Sequence, residues 1–130
     1  MRNEAREAAF QIVFAELFCE EQRSGFAASI YKNAGLNEEG VAFADRLVSC
    51  VRAHREELLL EITSRVEKYL EYRIYAADRA IMMIALAEIK YFEDIPPVVS
   101  VSEAVNLARK YSPERSIDFV NGVLGGIINQ

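Results

Sequence analysis

Residues 76–92 read AADRAIMMIALAEIKYF, and this stretch decides the fold. Ile81, Met82, Met83, Ile84, Ala85, Leu86, Ala87 and Ile89 leave almost no polar side. A helix that is apolar all round belongs at the centre of a bundle, wrapped by other helices. A strand over residues 81–86 is the competing reading, but Met and Ala favour helix over sheet. Asp94-Ile95-Pro96-Pro97 ends the segment, because a residue before proline avoids the helical region.

The flanking sequence supplies the wrapping. On the C-terminal side, Ser100-Val101-Ser102-Glu103 reads as a capping box. Val101, Ala104, Val105, Ala108 and Tyr111 then share one face, with Asn106, Arg109 and Lys110 outside. Ser112-Pro113 predicts a further cap with a first-turn proline, opening a last helix that carries Ile117, Val120, Val123, Leu124 and Ile127. On the N-terminal side, Asn37 is placed to cap a stripe of Val41, Ala44, Leu47, Val48 and Val51. Leu58, Leu59, Ile62, Val66 and Tyr69 form a second stripe, and the lost beat over residues 52–57 predicts a break between them. A short helix over 26–33 is stopped by Gly35. The first helix is expected to start at an Asn3 cap and fade near Gln22, burying Ala5, Ala8, Ala9, Ile12 and Val13. Phe10, Phe14, Leu17 and Phe18 widen its apolar face. No strand and no repeat emerges, so the expected fold is all-α, with about seven helices.

The composition agrees. A chain of 130 residues fits one domain, residues 1–130. Its 52% apolar and 27% charged content is far from that of a disordered chain. Six glycines and three prolines suit long helices better than a many-stranded sheet. No apolar run approaches the roughly 18 residues that span a bilayer. Met-Arg-Asn-Glu-Ala-Arg-Glu carries no apolar signal region behind it, so a cytoplasmic location is expected. Cys19 and Cys50, both within apolar helical patterns, read as small buried thiols.

Enzyme chemistry finds no foothold. His54 is the sole histidine, and no signature gathers a nucleophile and an orienting acid around it. The cysteines lack the C-x-x-C spacing of a zinc site. Gly122, Gly125 and Gly126 follow no strand, so they form no dinucleotide loop. The acidic pairs Glu20-Glu21 and Glu56-Glu57 read as solvated helix surface. No cofactor and no metal is expected.

Three stretches carry a family resemblance. The first is Ala5-Arg6-Glu7-Ala8-Ala9. The second is Asp78-Arg79-Ala80-Ile81 leading into Ile84-Ala85-Leu86-Ala87-Glu88-Ile89. The third joins Asp94-Ile95-Pro96, Ser102-Glu103-Ala104-Val105-Asn106-Leu107-Ala108-Arg109-Lys110-Tyr111 and Phe119-Val120-Asn121-Gly122-Val123-Leu124. Read together, they resemble the NusB family of transcription antitermination factors. The resemblance implies a helical fold of two packed bundles that binds the boxA element of ribosomal RNA leader transcripts. It implies joint action with NusE, a small-subunit ribosomal protein, in an antitermination complex on RNA polymerase; homodimers also occur in the family.

By that resemblance, RNA contacts begin at the N-terminus, where Arg2 and Arg6 lie one helical turn apart. An ordinary solvated turn is the alternative, but cations oppose the dipole at a helix start, so phosphate contact is the better explanation. Arg6→Ala is accordingly expected to weaken RNA binding with little loss of stability. Asn and Gly inside a helix are costly, Gly by roughly 1 kcal/mol relative to Ala. Close approach at Gly122, by another helix or by RNA, would explain that cost. With RNA there, Phe119 could stack a base and Asn121 read a base edge. For the protein partner the resemblance points to Asp78, Arg79, Tyr111 and Arg115, where Arg115 replaces a frequent acid. Asp78 has a plainer role too, as first-turn dipole compensation. The net charge of −5 opposes phosphate binding, so either a basic partner completes the RNA site or the chain is a protein-interaction module that has lost RNA binding.

Overall fold

The computed structural model describes residues 2–18, 25–66 and 74–129. Seven helices account for nearly all of them: α1 (Arg2–Glu16), α2 (Phe26–Asn33), α3 (Glu38–Ala53), α4 (Arg55–Val66), α5 (Ala76–Tyr91), α6 (Pro97–Tyr111) and α7 (Arg115–Ile128). There is no strand among the described residues. The all-apolar segment is the hub. Helix α5 packs against α1 and α3 on one flank and against α4, α6 and α7 on the other. Every residue from Ala80 to Glu88 is buried. The α1–α3 group and the α4, α6, α7 group thus form two helical layers that share α5 and one continuous apolar cluster.

Several boundaries follow local chemistry. Gly35 stops α2 at a φ of 70°, a left-handed conformation that glycine adopts without strain. The Asn37 side chain accepts from the Gly40 amide at 2.8 Å and caps α3. The lost beat after α3 is a real break at His54, whose ring stacks on Tyr91 with centroids 4.0 Å apart.

Elsewhere tertiary partners override the local pattern. Helix α1 already includes Arg2, so Asn3 lies within it and not at its cap. Helix α6 starts at Pro97, three residues before the expected capping box, with Pro96 at the N-cap. Ser100 is therefore inside the helix, and its hydroxyl reaches Glu88 Oε1 at 3.2 Å. Helix α7 starts at Arg115, beyond Ser112-Pro113. The Ser112 hydroxyl donates to Asp78 Oδ1 at 2.6 Å instead of capping. Cys50 is a half-buried free thiol with its pKa raised by burial. Cys19, the Glu20-Glu21 pair, Tyr69 and the expected fade of α1 near Gln22 lie outside the described residues.

Tyr31 fastens α2 to α3 by donating to Asp45 Oδ1 at 2.7 Å. Burial, then this bond and the Asp45 charge, push its phenol well above the ordinary value of 10.0. A raised folded-state pKa gives stability that is complete below the unfolded value and lost as pH climbs through the folded one. Tyr31→Phe should therefore cost about 1 kcal/mol at neutral pH and soften the fall in melting temperature above about pH 10. Thermal melts of both proteins across that range would check this; parallel curves would mean the hydroxyl ionises freely.

Candidate nucleic-acid interface

The start of α1, the first half of α3 and the α5–α6 turn meet at one corner. Arg2 is exposed there; its Nη2 donates to Asp94 Oδ2 at 3.2 Å, and its guanidinium lies 4.8 Å from the centroid of the Phe43 ring. Arg46, one turn after Phe43 on α3, stacks 4.0 Å above Phe92. The two rings pack edge to face at 5.7 Å. Arg2, Glu39, Gly40, Ala42, Phe43 and Arg46 line an open depression of about 360 Å³. The Arg2 hydrogen bond holds the Asp94 carboxyl below its usual range, with the Arg2 and Arg46 charges adding to it.

A second surface lies between α6 and α7. Asn121, Ser102, Arg109 and Asn129 rim a groove of about 480 Å³, with Val98, Val101, Val105, Gly125 and Ile128 beside them. Gly122 is exposed, so no described helix of this chain covers it. A Cβ on Gly125 would meet nothing within 4 Å. Packing among the described residues thus gives no reason for Gly125.

The sequence model of the NusB family matches residues 3–129. The chain belongs to the NusB family. The transcription antitermination protein NusB of Clostridium novyi is 34% identical over 129 residues, covering 98% of this chain and 97% of that protein. The structure of T. maritima NusB superposes with a TM-score of 0.82 at 25% identity, over 100% of this chain and 92% of the other. A structure of antitermination factors NusB and NusE in complex with double-stranded RNA has the same fold, with a TM-score of 0.83 at 23% identity over 97% and 94% of the two chains.

Against that NusB frame, the residues singled out from sequence divide by burial. Arg6 is only 3% exposed. Its Nε donates to both Glu88 oxygens, at 2.9 and 2.8 Å, beneath the surface that carries Arg2. In this conformation Arg6 is therefore buried and paired with Glu88, not a solvated first-turn cation. Phe119, 5% exposed, belongs to the core. Asp78 is fully buried and accepts from Ser112 and Ser116, the latter at 2.7 Å.

Arg2, Asn121 and Arg115 are exposed, and Arg79 is half-buried. Arg115 bonds to the Tyr75 hydroxyl and lies over its ring. Tyr111 is half-buried; its hydroxyl accepts from Gln11 at 3.0 Å, donates to Glu7 at 2.9 Å, and its ring packs on Phe10. Sequence reading missed Arg46 and Arg109 at these surfaces. The signal for Arg46 was its position three residues after Phe43, which places both on one helix face.

Some of the positive charge is already committed. Arg2 pairs with Asp94, Arg6 with Glu88, Arg52 with Glu16, Lys90 with Glu57 and Glu61, and Lys110 with Glu7. No group of residues suited to hold a metal ion occurs among the described residues, and no helix there is long and apolar enough to cross a membrane.

Proposed function

We propose that this chain is a transcription antitermination factor. In this reading it binds boxA RNA of ribosomal RNA leader transcripts together with NusE, as part of an antitermination complex on RNA polymerase. The observation that carries it is the match along 98% of the chain to an antitermination protein at 34% identity. The fold shared with NusB bound to NusE and double-stranded RNA supports it. The whole chain acts as one RNA-binding domain in the cytoplasm, an adaptor and not an enzyme, with no cofactor.

Arg2 and Asn121 are the RNA-facing residues of the original set that lie at the surface. Arg79, Arg115 and the edge of Tyr111 form the NusE-facing set, near the N-terminus of α5 and the α6–α7 corner. Asp78 and Arg6 act from beneath by holding those surfaces in place. With net charge −5 and Arg2 already held by a carboxylate, the chain alone should hold RNA weakly. A basic partner bound alongside supplies charge and raises the effective concentration of RNA at the site.

Fluorescence anisotropy of labelled boxA RNA, with and without NusE and at two salt concentrations, tests this. The expected result is weak binding alone, tighter and salt-sensitive binding with NusE, and little binding of a scrambled RNA. The thin patch of free cations motivates one other reading, a protein-interaction module of the same fold that has lost RNA binding. An absence of RNA binding with NusE present, while NusE itself still binds, would select that reading.

A further inference from the structure

We infer that Arg46 joins Arg2 in a two-guanidinium site for the RNA backbone phosphate, with Asp94 as its internal counter-ion. The inference rests on the RNA-binding reading above and extends it onto α3, where neither the sequence motifs nor the family resemblance pointed.

Arg46 is exposed and forms no ion pair with a carboxylate among the described residues. Its guanidinium lies over the Phe92 ring, with Cζ 4.0 Å from the centroid. A cation–π contact of this kind restrains the guanidinium without using up its N–H donors, so a phosphate can accept two of them. Phe92 cannot swing away: it is 2% exposed and braced edge-on by Phe43. Phe43 in turn underlies Arg2. Two cations are thus set on one rigid aromatic base, around the same depression.

Two carboxylates lie near these cations. Asp94 bonds Arg2 and feels both guanidinium charges, and Glu39 lines the wall. Asp94 occupies the position in the field that an incoming phosphate oxygen would take. RNA binding then exchanges one anion for another at Arg2 while Arg46 gains its first. Such an exchange keeps the free protein's corner neutral and makes the site weak, which fits an RNA surface that needs a second protein.

The test measures labelled boxA RNA and scrambled RNA against this chain with NusE, comparing wild type with Arg46→Gln, Asp94→Asn and Lys32→Gln. Lys32 is exposed on α2 and does not line the depression, so it controls for net charge. Arg46→Gln should weaken both RNAs by the same factor, roughly threefold to tenfold, and lower the slope of log K against log salt by about 1. Asp94→Asn should tighten both, and Lys32→Gln should do little. An Arg46→Gln effect no larger than that of Lys32→Gln, or an Asp94→Asn variant that binds no tighter, overturns the inference while wild-type binding leaves the adaptor reading intact. Loss confined to boxA would mean base reading and also overturn it. Failure of the wild type to bind either RNA removes both.

Discussion

Glu88→Ala should lower the unfolding free energy by about 3–5 kcal/mol, the cost of leaving one charge of a buried pair without its partner. Glu88 is 1% exposed at the centre of α5, and Arg6 is 3% exposed. The carboxylate takes both hydrogen bonds from the Arg6 Nε and a third from Ser100. Removal of the carboxylate leaves a guanidinium enclosed by α1, α3 and α6. The melting temperature should fall by roughly 10 °C or more. Arg6→Ala should do comparable damage from the other side, so its effect on RNA would arise mainly through the fold. The double replacement Arg6→Met with Glu88→Leu should recover most of the loss, because an apolar pair of similar volume needs no desolvation of charge. It should also leave the salt slope of RNA binding unchanged. Urea denaturation of the three variants decides the matter: a Glu88→Ala cost under about 1 kcal/mol would show that water reaches the pair.

Asp78→Ala carries the second-largest expected effect, about 2–4 kcal/mol of stability. Its two oxygens accept from Ser112 and Ser116 and so tie the first turn of α5 to the corner between α6 and α7. That corner carries Tyr111 and Arg115, both assigned to the partner surface. Asp78→Ala should therefore weaken NusE binding by loosening the corner, and Asp78→Asn, which keeps one acceptor, should cost about half as much. Denaturation and NusE titration of the same samples separate the two effects. A NusE affinity that collapses with no change in stability would return Asp78 to direct contact.

Both predictions concern carboxylates set in the central helix α5, and they show where sequence reading reaches its limit. The apolar run of α5, the Asn37 cap, the Gly35 stop and the break at His54 were all legible, since each depends on residues within a turn or two of one another. The serines were not. Ser100 and Ser112 fit the pattern of helix caps, yet their hydroxyls bond Glu88 and Asp78, 12 and 34 positions away. A cap offers one neutral hydrogen bond at a solvated helix end. A buried carboxylate has no water to fall back on and takes the hydroxyl instead.

The candidate site divides in the same way. Sequence alone determined the all-α class, the central position of α5 and the motifs of the NusB family, because periodicity and short-range spacing are properties of the chain itself. Only the tertiary structure decided which charges remain at the surface. Arg2 and Arg6 look equivalent one turn apart, but the buried Glu88 draws Arg6 inward while Arg2 stays at the rim with Arg46. Partners brought together across 82 positions of chain set that difference, and no local pattern encodes them.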